Sequence, residues 1–291
     1  MRERRFFAVR ALAAVALIAG AICSATAGAA PVAVVTDAQG RSVLQGAAPA
    51  RELVMLAEID GDARIQLDDK ARLVVLYFST GEEFTLRGPA LVQFKPAAPE
   101  ALSGVAPEKR AAGSKPDSGI RIKPGGVTQA GVRMRVAPEG PKLRLLGLSG
   151  TVTLDARPEF RWSALEPGLS YAFQLSDDTG RIVHESKTAG NTLTLPESLQ
   201  LKPGAPYTWE VSTRLKNGAK YTSAGDFNIA AADLRAQVDR TRPAEPATVS
   251  ELVAFALWLE QLDLKDEARK YWRMARAQRP ADSRLKTLAG E

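Results

Sequence analysis

Two periodicities divide the chain. Up to about residue 229, apolar residues come in short runs, alternating with polar ones or filling several consecutive positions. Between residues 31 and 97 the runs cover 32–36, 41–44, 53–59, 63–67, 72–78, 83–86 and 90–94. Turn residues separate them: Asp37-Ala38-Gln39-Gly40, Asp60-Gly61-Asp62, Asp68-Asp69, Ser79-Thr80-Gly81 and Gly88-Pro89. The run ending Leu73-Val74-Val75-Leu76-Tyr77-Phe78 has no polar break, as expected of a buried strand. β-branched and aromatic residues with a turn every ~8–12 positions predict a small all-β sandwich or β-roll.

A second set of strand signals fills 143–229, at 143–148, 151–154, 159–162, 170–175, 182–186, 192–195, 207–213 and 227–229. Phe160 and Trp162 share one strand face, as do Tyr171, Phe173 and Leu175, and Tyr207, Trp209 and Val211. These rings read as core, with a sugar-stacking platform as the alternative. Asp177-Asp178-Thr179-Gly180 and Lys216-Asn217-Gly218 read as hairpin turns.

From residue 230 the period becomes three to four. Ala231, Leu234 and Val238 mark a short helix ending near Pro243. Thr248 and Glu251 form a capping box for a helix running to about Leu262. Asp263 is placed to cap a second helix, with Leu264, Ala268, Tyr271 or Trp272, and Ala275 as its apolar stripe. Arg276 and Arg279 suit its C-terminal dipole, and Pro280 ends it. Residues 252–259 are apolar nearly all round, so that helix needs cover on every side.

Residues 1–29 read as a signal peptide. Arg2, Arg4, Arg5 and Arg10 precede an apolar run from Ala11 to Cys23, followed by small residues with A-x-A sites at Ala25-Thr26-Ala27 and Ala27-Gly28-Ala29. Ile22 before Cys23 argues against lipidation. Loss of residues 1–27 removes those four Arg and Glu3, so the formal net charge of +6 falls to +3. The basic pI therefore partly belongs to the leader and does not point to nucleic acid. The chain has one cysteine and one histidine, and the cysteine lies in the leader. The expected mature chain has no thiol chemistry and no spanning segment.

Residues 98–142 shift to Ala, Pro, Gly and Ser, and between Ala101 and Arg144 lie the basic residues Lys109, Arg110, Lys115, Arg121, Lys123, Arg133, Arg135, Lys142 and Arg144. This composition predicts a basic flexible linker with the potential to attract an anionic envelope polymer. A weakly alternating stretch at 120–136 could add an edge strand.

Three resemblances follow. Asp60-Gly61-Asp62-Ala63-Arg64-Ile65, then Leu73 to Phe78 and Gly81, resembles the FecR-type periplasmic domain, which implies a non-enzymatic envelope module known from signal relay. Leu201-Lys202-Pro203-Gly204-Ala205-Pro206-Tyr207 resembles the tyrosine corner of fibronectin type III domains, which implies a Tyr207 hydroxyl bonded to upstream backbone. Ala256, Ala268, Ala275, Leu259, Trp272 and Pro280 resemble one tetratricopeptide repeat. That resemblance implies a groove side on the first helix lined by Val253, Leu257, Glu260 and Gln261.

Catalytic chemistry finds little support. His184 and Glu185 are strand neighbours facing opposite ways. Ser283 and Lys286 match Ser-x-x-Lys only formally, in what reads as a polar tail, and nothing converges on Glu82-Glu83. Asp60, Asp62, Asp68 and Asp69 suit turns better than a calcium loop. No catalytic, cofactor or metal residues are assigned.

The expected architecture is mainly β and multi-domain: signal peptide 1–29, FecR-like domain 31–97, linker 98–142, fibronectin type III-like sandwich 143–229, and helical hairpin 230–291. The expected function is an exported, non-enzymatic binding or scaffold protein of the envelope, with an envelope protein or anionic polymer as partner. The alternative is a FecR-like periplasmic relay working with a separate membrane regulator.

Overall fold

The computed structural model describes residues 30–46, 49–110, 120–125 and 142–290. The expected leader lies outside these residues, as do Lys115, Arg133 and Arg135.

The N-terminal unit has two five-stranded sheets. Strands β1 (Pro31–Gln39), β4 (Glu58–Asp60), β6 (Arg72–Tyr77), β7 (Glu83–Arg87) and β10 (Glu108–Arg110) form the first, in the order β10-β7-β6-β1-β4. Strands β2 (Ser42–Leu44), β3 (Arg51–Glu52), β5 (Arg64–Leu67), β8 (Ala90–Phe94) and β9 (Pro99–Gly104) form the second, in the order β3-β2-β5-β8-β9. Ala33, Val35, Leu73, Val75, Tyr77, Phe84 and Leu86 of one sheet share a core with Ile65, Leu67, Val92 and Phe94 of the other. The alternate residues Val34 and Leu76 instead join a core with the C-terminal helices. The first sheet is therefore covered on both faces. That is why 73–78 has no polar break: a strand buried on both sides needs apolar residues at odd and even positions alike.

Two of these strands lie in the stretch whose composition predicts a linker. β9 pairs with β8 and β10 with β7, so the unit continues to Arg110. Most of their side chains are exposed. Edge strands held by backbone hydrogen bonds need little apolar content, which composition cannot detect. Residues 120–125 adopt no regular structure, and 126–136 lie outside the described residues.

The second β unit pairs a five-stranded with a two-stranded sheet. Strands β11 (Thr151–Thr153), β13 (Tyr171–Asp177), β14 (Ile182–Thr188), β16 (Pro206–Arg214) and β17 (Lys220–Ile229) run in the order β11-β17-β16-β13-β14, and β12 (Glu159–Arg161) pairs with β15 (Thr192–Thr194). Only β11 runs parallel to its neighbour, β17. The predicted strand at 143–148 is reduced to one bridge, Leu145 to Trp162. Phe160 sits at the centre, its ring 4.8 Å from Phe173, 5.2 Å from Trp209 and 5.6 Å from Phe227. Phe160, Trp162 and Trp209 are 0% exposed, so these rings are core and not a sugar platform. The Tyr207 hydroxyl accepts a hydrogen bond from the Lys202 amide at 2.9 Å, the upstream backbone contact expected of it.

The helices are α1 (Ala232–Thr241), α2 (Val249–Gln261), α3 (Lys265–Gln278) and α4 (Ser283–Leu288). The Thr248–Glu251 capping box is formed in both directions. Asp263 does not cap α3. The N-cap is Leu264, and Asp263 takes a left-handed φ of 58° in the tight turn between helices. Residues 283–288, read as a polar tail, form a helix because Asp282 caps it and Leu285 is fully buried. No helix among the described residues is long and apolar enough to cross a membrane.

Candidate functional site

The tetratricopeptide resemblance placed a groove on α2. Val253 is 0% and Leu257 2% exposed, both inside the core that unites α2, α3, Val34, Met55, Leu76 and Phe78. This corrects the expectation: neither lines an open groove. An apolar stripe on a helix demands cover, and here the outer face of the first sheet supplies it. Glu260 turns inward and accepts from the Trp272 indole N–H at 2.8 Å. Burial raises its pKa, and the indole bond offsets part of the rise. Gln261 meets the backbone of Lys123 in both directions, its Oε1 accepting from the Lys123 amide at 3.1 Å and its Nε2 donating to the Lys123 carbonyl at 3.3 Å. Glu260 and Gln261 are thus both satisfied within the chain.

The hairpin touches both β units. On one side α2 lies on β1, where a register shift between Val35 and Asp37 marks a β-bulge. A bulge redirects side chains locally. At this one, the Thr36 hydroxyl lies 2.7 Å from that of Ser250. Ser250 also donates to Glu83, which is 4% exposed. Burial raises the Glu83 pKa above the usual carboxylate range; the Ser250 bond and the Arg110 and Arg72 charges pull it down, while Glu251 pushes it up. Arg110 bridges to Glu251 at 2.7 Å. Near the end of α3, Arg279 grips Asp37 through Nε at 3.1 Å and Nη2 at 2.8 Å, and Arg72 approaches the same carboxylate at 3.1 Å. Arg284 of α4 donates to the Met55 carbonyl.

On the other side, the α2–α3 turn is fastened to β11. The Asp263 carbonyl accepts from the Val152 amide at 2.8 Å and from the Thr151 hydroxyl at 2.6 Å. The Leu148 amide donates to Asp266 at 3.4 Å, and Lys265 donates to the Gly150 carbonyl. Between this β unit and helices α1 and α3 lies an open groove of about 1000 Å³. Arg161, Arg235, Lys270, Arg273, Asp155 and Asp239 are among its lining.

Sequence reasoning missed Asp37, Glu83 and Ser250, and it saw Arg279 only as a dipole partner. No local signal marks them, since each partner lies far along the chain. Several basic residues of the expected linker are engaged at home: Lys109 with Glu82 at 2.6 Å, Arg110 with Glu251, and Arg121 with the Ser79 carbonyl at 3.4 Å. His184 and Glu185 lie on the edge strand β14, opposite Leu175 and Gln174. Among the described residues, no three His, Cys, Asp or Glu side chains cluster as metal ligands would.

No family model and no curated protein matches the chain at a significant level. Solved structures similar to parts of it include CopC from Methylosinus trichosporium OB3b, at 22% identity and a TM-score of 0.24, covering 31% of this chain and 95% of that one. Pectate lyase Pel3 from Pectobacterium carotovorum is 20% identical with a TM-score of 0.22, covering 30% of this chain and 26% of the lyase. Dimeric latent PorU from Porphyromonas gingivalis is 14% identical with a TM-score of 0.23, covering 67% of this chain and 16% of PorU. At these TM-scores the likenesses assign neither fold nor activity.

Proposed function

We propose that the chain is an exported, non-enzymatic envelope protein, a periplasmic scaffold that holds two β units in fixed relation and binds an envelope protein across their junction. The observation that carries this reading is the two-sided fastening of the hairpin, α2 and α3 to β1 and the α2–α3 turn to β11. A linker alone would leave two β domains to move independently. A packed wedge with buried polar bonds on the β1 side and part-buried ones on the β11 side fixes their angle and the shape of the groove between them. The resemblances to FecR-type and fibronectin type III domains support the same reading, because both imply binding modules outside the cytoplasm. The two carboxylates whose pKa burial raises, Glu83 and Glu260, are each held by a partner within the fold, which favours a structural over a catalytic role. A protein partner is preferred to an anionic polymer because Lys109 and Arg110 of β10, and Arg121 beyond it, already have partners.

Cell fractionation with a photo-crosslinking residue at Arg235 or Arg273 tests this. The expected result is a periplasmic chain lacking its first ~27–29 residues, joined to one envelope protein. A cytoplasmic chain retaining its leader, or no adduct from either groove position, would contradict it.

A further inference from the structure

The helix α2 is apolar nearly all round, and three kinds of cover meet it. The first sheet and α3 are regular elements. The third is the strip of residues 120–125, which has no regular structure. Ile122 is 2% exposed and joins the core that contains Trp258. Around it four hydrogen bonds hold the strip at three residues. Arg121 donates to the Ser79 carbonyl at 3.4 Å, the Gln261 amide brackets the Lys123 backbone, and the Gly125 amide donates to Glu58 at 2.8 Å. Gly81 makes room for it: a Cβ there would stand 2.8 Å from the Ile120 carbonyl oxygen. This is the geometry of a bound extended peptide, with one apolar anchor, a side-chain amide reading the backbone, and charged or polar contacts at both ends.

The fit is incomplete. A cavity of about 450 Å³ remains beside the strip, walled by Trp258, Gln261 and Leu262 on one side and by Arg121, Lys123, Pro124 and Gly125 on the other. All four hydrogen bonds lie at exposed positions, where water competes for them. The cover therefore opens more readily than the sheet or α3.

We propose that residues 120–125 are a built-in occupant of a peptide-binding site on α2, displaced by an extended segment of a partner protein. The inference rests on the scaffold reading and names the chemistry of its partner. The segment has a basic residue at the Arg121 position, an apolar one at the Ile122 position, and a free backbone N–H and C=O at the next. At the Pro124 position it has a larger apolar side chain, which fills the space against Trp258 that the strip leaves empty. A tethered occupant lowers the apparent affinity for any competitor by the fraction of chains whose site is open.

The test uses a fluorescent peptide spanning residues 118–125 and its Pro124→Leu variant, titrated by anisotropy into the full chain and into the full chain carrying Ile122→Ser. The expected result is that Ile122→Ser, by loosening the resident strip, raises peptide affinity about tenfold. The Pro124→Leu peptide binds more tightly still, and adding Gln261→Ala to the protein abolishes binding. Equal affinity for both chains, or binding to neither, overturns the proposal. Hydrogen exchange on the unmodified chain decides the matter without any variant. Lys123 and Gly125 amides should exchange by local opening, far faster than the amides of α2. Protection equal to that of α2 would make the strip part of the core and overturn the proposal. Neither Ile122 nor Gln261 enters the crosslinking at Arg235 and Arg273, so failure here leaves the scaffold reading separately testable.

Discussion

Arg279 holds Asp37 by two parallel hydrogen bonds, at 3.1 and 2.8 Å, across 242 residues of sequence. The Asp37 side chain is 3% exposed, so its charge is neutralised by Arg279 and Arg72 and hardly by water. Two-point guanidinium–carboxylate pairing fixes orientation as well as distance. It locks the end of α3 to β1.

Removing Arg279 should therefore be expensive. Arg279→Met leaves a buried carboxylate with Arg72 and Gln39 as its remaining donors. The expected loss is about 2–3 kcal/mol, below that for a buried ion left wholly unpaired. Urea melts of the two chains measure it, and an unchanged midpoint would mean that the pair is only a surface contact.

The fold is expected to weaken as pH rises through the mildly acidic range. A carboxyl raised by burial is protonated more readily in the folded chain than in the unfolded one. Glu83 and Glu260 both behave this way, from an ordinary value of 4.5. Their ionisation costs the fold nothing below that value. The cost grows as pH climbs from it through the raised folded values. Denaturation midpoints followed upward from pH ~4 should fall less steeply in Glu83→Gln than in the parent chain. Parallel profiles would show that Glu83 ionises as freely folded as unfolded.

Two core tryptophans should differ although both are 0% exposed. The Trp209 indole donates to the Leu148 carbonyl at 2.7 Å, whereas the Trp162 indole N–H has no partner among the described residues. Each Trp→Phe change leaves a similar void, but Trp209→Phe also strands a carbonyl. It should cost about 1–3 kcal/mol more than Trp162→Phe. Equal losses in denaturant melts would contradict the hydrogen-bond assignment.

Leu257→Glu and Trp258→Glu should both unfold the hairpin. The two side chains are 2% and 4% exposed, and either change buries an unpaired charge. Thermal melts are expected to show comparable, large losses. A well-folded Leu257→Glu chain would restore an open groove on α2.

The parts of this architecture legible in the sequence are those in which one local pattern has one physical solution. The mainly β class followed from alternating runs and turn residues. The start of α2 followed from Thr248 and Glu251, and the Tyr207 hydroxyl contact is the one that the tyrosine-corner resemblance implies. What covers an apolar face was not legible. Residues 252–259 demanded burial on all sides, yet nothing local indicated that β1, α3 and Ile122 would supply it. The tetratricopeptide resemblance places Val253 and Leu257 on a groove, whereas both are buried in the core. Strands β9 and β10 escaped notice because backbone pairing leaves no mark on composition. The Thr36 bulge and the Arg279–Asp37 grip join opposite ends of the chain, beyond the reach of any periodicity.

The most direct test of the docked hairpin uses the absence of cysteine after residue 23. Thr36 and Ser250, whose hydroxyl oxygens lie 2.7 Å apart, are replaced together by cysteine in a chain starting at residue 30, which contains no other cysteine. If α2 rests on β1, mild oxidation gives one intramolecular disulfide in nearly every monomer, read by intact mass and peptide mapping. Free thiols or only intermolecular dimers under the same conditions would show that the hairpin does not dock there, and the scaffold account would fall with it.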